Sequence, residues 1–238
     1  MKTRFLTIGK GFTGSLAGLA LILGFAGTPF AGVPGDGSQA IPELTGSSRD
    51  TAKFWALDAG KNKLAKFKFR LSSRKSKIEF NGRRSVLKGK PTRTGKTEYF
   101  LARNVADRRN IPRESFASAA KVISNASGFK IRDARGRLVW KVKISGKSVK
   151  ISDNNANRNP YILRRKEGGQ ESKVWDVKTR LGRVKLKNGK NRVMDGSGVR
   201  RYFVTIKHSS LAPGVLLLER IPETYRYIIM AELYQRKL

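Results

Sequence analysis

The sequence predicts a mainly β fold: an antiparallel β-barrel of many short strands with a buried hydrophobic C-terminal helix, the alternative being a β-sandwich with a packed helix. Three observations predict it. Short stretches alternate apolar and basic residues, as in Lys66-Phe67-Lys68-Phe69-Arg70, and period two marks a strand with one apolar face. Turn dipeptides recur between such stretches, at Asn81-Gly82, Gly168-Gly169, Asn188-Gly189 and Gly196-Ser197-Gly198, a spacing that suits a barrel or sandwich. The chain then closes on residues 222–238, whose apolar side chains point in nearly every direction around a helix. A helix apolar all round is a membrane span or a core element.

The elements follow in order. Residues 1–31 read as a signal peptide. Lys2, Arg4 and Lys10 precede an apolar run over 16–26, and Gly24-Phe25-Ala26 and Ala31 offer small-residue exits. An uncleaved N-terminal membrane anchor is the alternative, although the run is short and interrupted by glycine. Export, to a periplasm or beyond, is therefore the expected localisation. Residues 32–50, rich in Gly, Pro and Ser, read as a flexible linker, which leaves 51–238 as a single basic β domain.

Within that domain, Phe67, Phe69 and Leu71 form one apolar face, and Ile78 and Phe80 alternate with Lys77 and Glu79. A further short strand is expected over 97–101. One helix is expected next, with Asn110 as N-cap, Pro112 in the first turn and an alanine-rich body over 115–123 ending at Gly128. Residues 129–144 predict a hairpin turning at Ala134-Arg135-Gly136, with Leu138, Trp140, Val142 and Ile144 on one side. Strands follow over 149–152, 161–163, 172–177, 183–187 and 201–207.

Residues 215–218 form an apolar run that breaks before Pro222, which suits the first turn of a helix. Tyr227, Ile228, Ile229, Met230 and Leu233 are its expected core residues. The apolar stretch falls far below the roughly 20 residues a bilayer requires.

A strand–Asp133-x-x-Gly136–strand hairpin and an all-round apolar C-terminal helix together resemble the tubby-like barrel superfamily, which includes tubby C-terminal domains, LURP-one-related proteins and phospholipid scramblases. The resemblance covers 53–238 and is best over 129–151 and 213–234. It implies a closed β-barrel threaded by the helix, and a lipid-facing role. It carries over no site residue: the cysteine cluster that scramblases acylate is absent, and the lysine and arginine that tubby domains use for phosphoinositides do not align.

Chemistry narrows the function. The 238 residues include 51 Lys and Arg against 17 Asp and Glu, a net charge of +34. A field of that strength concerns anionic partners and solubility, not fold. Cysteine is absent, which removes disulfides, thiolate metal ligands and a cysteine nucleophile. The one histidine, His208, stands beside Ser209 and Ser210, a pairing more often incidental than catalytic. The run 153–157 lacks the spaced carboxylates of a calcium loop, and nucleophile-elbow, zinc-helix and phosphate-loop motifs do not occur. A non-enzyme is expected, with no catalytic residue, metal site or cofactor.

The signal that remains is basic residues on strand faces opposite the apolar ones. Lys66, Lys68, Arg70, Lys141, Lys143, Arg183, Lys185 and Lys187 are the candidate anion-binding residues. The expected partners are anionic lipid headgroups, met by peripheral membrane contact, or an acidic envelope polymer. Nucleic acid is the lesser alternative. Its stacking platforms are not evident on the basic faces, since Phe67, Phe69 and Trp140 belong to the apolar ones.

Overall fold

The computed structural model describes residues 50–238. The signal peptide and all but the last residue of the linker expected from the sequence lie outside the described residues.

Alternation turns fourteen segments into strands: β1 (Thr51–Asp58), β2 (Lys63–Arg70), β3 (Lys75–Phe80), β4 (Ser85–Pro91), β5 (Lys96–Ala102), β6 (Ala117–Asn125) and β7 (Gly128–Asp133). The series continues with β8 (Leu138–Ser145), β9 (Ser148–Ser152), β10 (Tyr161–Arg165), β11 (Glu171–Asp176), β12 (Thr179–Lys187), β13 (Lys190–Asp195) and β14 (Arg200–Val204). Each strand pairs with its neighbours in sequence, and β14 returns to β1 with Val204 opposite Ala56 and Phe203 opposite Leu57. The sheet is thus a closed antiparallel barrel, not a sandwich. Closure removes the unpaired edges that would otherwise template aggregation.

The interior follows from the inward half of each alternation. Phe54, Phe67, Phe69, Ile78, Leu87, Tyr99, Val122, Ile131, Val142, Ile151, Leu163, Val174, Val184, Val193 and Val204 are buried in one cluster. Into it runs α1 (Glu223–Gln235), with every residue from Tyr227 to Leu233 buried. Seven consecutive buried residues cover nearly two turns, so this stretch has no solvent face. Among the described residues no helix is long and apolar enough to cross a membrane.

The two sides of the interior are filled differently. Aromatic rings on β1–β3 grip the helix: Tyr227 meets Phe67 and Phe80 edge-on at centroid distances of 5.6 and 5.2 Å, and Tyr234 lies 4.8 Å from both Phe54 and Phe69. Valine and leucine on β10–β13 are smaller, and the space they leave is taken by a buried 3-10 helix, Ala212–Leu217. There the approach is close. A Cβ on Gly214 would lie 2.9 Å from Val174 Cγ2 and 3.1 Å from Leu163 Cδ2.

Three expectations are corrected. The helix expected over 110–128 is a single 3-10 turn, Arg113–Ser115, followed by strand β6. Alanine is the best helix former, but propensity is a weak prior that tertiary context overrides, and here pairing with β5 and β7 closes the barrel and buries Ala120 and Val122. Leu71 does not continue the apolar face of β2. It lies in the turn after Arg70 and is 48% exposed. Strands β1, β4 and β13 were not expected from sequence, although turn signals bracket β4 and β13.

Candidate anion-binding site

The outward half of the alternation carries the charge, and the register decides which charges meet. On the first four strands Lys53 stands opposite Lys68, Lys68 opposite Lys77, and Lys77 opposite Lys88. Neighbouring strands lie about 4.8 Å apart, so the four lysines form a row about 14 Å long across the barrel wall. Arg70, Lys75 and Lys90 flank it, and all seven bases line one outer groove of about 420 Å³ that has no carboxylate among its lining residues. Lysine methylenes lying along the sheet supply the apolar part of such walls.

Like charges directly opposite one another on a sheet are destabilising. One counter-charge is built in. Glu79, 4% exposed on the outer side of β3, lies 3.2 Å from Lys77, 3.6 Å from Lys68 and 3.8 Å from Arg108. Arg108 belongs to the β5–β6 connection, which folds back over this wall: Lys77 Nζ donates to Arg108 O at 3.5 Å, and Val105 N donates to Arg84 O at 2.9 Å. The connection also sets Phe116 under the Lys88 ammonium, 3.9 Å from the ring centroid. Partial burial, then the fields of Lys77 and Lys90, depress the Lys88 pKa. Burial and the field of Lys68 depress that of Lys66. The wall therefore holds more positive charge than its own carboxylate neutralises.

Aromatic rings do occur on the basic face, contrary to the expectation from sequence. Trp55, on the outer side of β1, has Lys66, Lys63 and Lys53 at 4.7, 4.9 and 5.9 Å from its ring centroid. Phe100 lies 5.5 Å from Lys90, and Phe203 lies 4.5 Å from Arg200.

The eight candidate residues all stand on outer faces but fall into three patches. Lys66, Lys68 and Arg70 belong to the β1–β4 wall. Lys141 and Lys143 on β8 face Lys130 and Lys150 across the strands. On β12, Arg183 stands opposite Lys173, itself opposite Arg164, while Lys185 lies between Glu171 and Arg192 and Lys187 faces Lys190. Missed from sequence were Lys53, Lys75, Lys77, Lys88 and Lys90. The alternations Lys75-Ser76-Lys77 and Lys88-Gly89-Lys90 were the available signal.

A second concavity opens at the barrel mouth beside the end of α1, about 1050 Å³, with Glu232 at its floor and Arg74, Lys96, Arg236 and Lys237 around it. Glu232 is 6% exposed and accepts a 2.9 Å hydrogen bond from the fully buried Tyr99 hydroxyl. Burial raises the Glu232 pKa, against the Tyr99 hydrogen bond and the fields of Arg236 and Arg74.

His208 is exposed and stacks on Tyr234 at 6.0 Å, while the Ser209 and Ser210 hydroxyls donate to the carbonyls of Gly169 and Leu238. No group of three or more potential metal-ligating side chains occurs among the described residues. Comparison with protein-family models, with curated proteins and with solved structures found no match.

Proposed function

We propose that this protein is a non-enzymatic, exported binder of anionic surfaces, lipid headgroups or an acidic envelope polymer, that engages them through the outer wall of β1–β4. The observation that carries the reading is the in-register row Lys53–Lys68–Lys77–Lys88. A solvated strand face is as well served by mixed charges. Four like charges in line cost stability in the free protein and recover it when an anion lies across them.

Near an anionic membrane each basic residue adds roughly 1 kcal/mol, falling off within a Debye length of about 8 Å at physiological salt. The row alone then contributes about 4 kcal/mol, close to a thousandfold in affinity. Contact at the surface fits the charge pattern better than insertion, because each outward lysine at a bilayer midplane would cost roughly 2–4 kcal/mol. We propose as well that the protein is related to the tubby-like barrel superfamily it resembles. The closed barrel around a buried C-terminal helix is in keeping with it, and the wall described here would be its lipid-facing part.

The test is sedimentation with vesicles containing phosphatidylglycerol, beside neutral phosphatidylcholine vesicles, across a salt series. Retention on the anionic vesicles at low salt, lost steeply as salt rises, is expected. Retention that is equal on both vesicle types, or indifferent to salt, contradicts the proposal.

Trp55 among three lysines favours a second reading, single-stranded nucleic acid, since a ring with flanking cations is what base stacking uses. That reading predicts that Trp55→Ala weakens oligonucleotide binding more than tenfold and leaves vesicle binding unchanged.

A further inference from the structure

The charge does not stop at the β1–β4 wall. In a closed ring of fourteen strands, those seven apart lie on opposite sides, so the wall facing β1–β4 is β8–β11. Its outer surface carries Lys141 and Lys143 on β8, Lys150 on β9, Arg164 on β10 and Lys173 on β11. Here too the register pairs like with like: Lys143 stands opposite Lys150, and Arg164 opposite Lys173. The carboxylate on that face, Glu171, is engaged by Lys166 at 3.1 Å.

We infer that the barrel bridges two anionic bilayer surfaces, one on β1–β4 and the other on β8–β11. This rests on the anion-binding reading and extends it. Barrel convexity supplies the geometry. A flat bilayer touches a convex wall over a few strands, and a field screened within about 8 Å does not reach around the barrel. Binding through one wall therefore leaves the opposite one facing away, still uncompensated and free to meet a second surface. A barrel with one basic wall would coat a bilayer; one with two joins bilayers.

A sandwich assay with the whole protein tests this. A supported bilayer containing phosphatidylglycerol is loaded with protein and washed, and labelled vesicles of the same composition are then added. Wild type is expected to capture vesicles. Replacing Lys141, Lys143, Lys150, Arg164 and Lys173 by Gln should leave loading within about threefold and reduce capture at least tenfold. Lys53→Gln/Lys68→Gln/Lys88→Gln removes most of the row through which the protein loads and should lower loading and capture together, and circular dichroism and thermal melting confirm that both variants are folded. Loading by wild type without capture overturns bridging and leaves single-surface binding intact. Absence of loading by wild type overturns the anion-binding reading itself. Capture undiminished in both variants shows that joining does not depend on the two walls, and also overturns the inference.

Discussion

Two glutamates are almost equally hidden on the two sides of the barrel wall, and their surroundings drive them in opposite directions. Glu79 is 4% exposed outside β3 and Glu232 is 6% exposed within the barrel. Burial by itself raises both. For Glu79, the Lys77 hydrogen bond and the fields of Lys68 and Lys77 more than reverse it, and the carboxyl is held below its usual range. For Glu232, burial wins over Tyr99 and the more distant arginines, and the carboxyl rises. The inside of this barrel is organised by packing, and the outside by an excess of positive charge that even a buried acid feels.

The largest effect expected is inside. Removing residues 222–238 should abolish cooperative unfolding and leave an insoluble or unfolded chain. Ile228→Ala, at a fully buried position, should cost about 2–5 kcal/mol against a total of roughly 5–15 kcal/mol. Ile228→Asp should cost more, because it strands a lone carboxylate in the core. A truncated protein that melts like the full chain would show that α1 is a dispensable appendage.

Outside, Glu79→Gln should cost roughly 1–3 kcal/mol at neutral pH, below the figure for a fully buried pair because its partners are 29–43% exposed. The pH sign follows from a depressed pKa. The contribution of Glu79 is present above the unfolded-state value and lost as pH falls through the folded one. Melting of variant and wild type should therefore converge in acid.

Glu232 carries the opposite sign. With its folded pKa raised, its contribution is complete below the unfolded-state value and lost as pH rises through the folded one. Glu232→Gln keeps an acceptor for Tyr99 and removes the titration, so the variant should gain on wild type as pH is raised from 4 to 8. A difference that stays constant with pH would mean that burial does not neutralise Glu232. The smallest effect is Lys53→Glu, which turns one like pair in the row into an opposite pair. It should stabilise the free protein by about 0.2–1 kcal/mol, visible as a small rise in melting temperature.

What was legible in the sequence followed from one-dimensional patterns. Lys66-Phe67-Lys68-Phe69 carries its two faces in its own alternation. The run from Tyr227 to Leu233, too apolar for a surface helix and too short for a span, was recognisable as core. Strand β6 was not, since Ala117–Asn125 is neutral enough in propensity that its neighbours decide it. The lysine row was not legible either. Each of its members is an unremarkable outward lysine until antiparallel pairing sets Lys53, Lys68, Lys77 and Lys88 side by side. The burial of Glu79 likewise depends on Arg108, brought over the wall by a connection with no periodicity to read.

The most direct test of the central claim separates the row from the bulk charge. Lys53→Gln/Lys68→Gln/Lys88→Gln leaves Lys77 with Glu79 and removes three charges from the row. Lys61→Gln/Lys147→Gln/Lys178→Gln removes three exposed charges from turns and leaves the same net charge. Titration of each protein with phosphatidylglycerol vesicles at physiological salt should show a loss of about a hundredfold in affinity for the first, from roughly 1 kcal/mol per lysine, and less than about tenfold for the second. Equal losses in the two variants would contradict the account, because they would mean that affinity tracks net charge and the in-register row has no part in it.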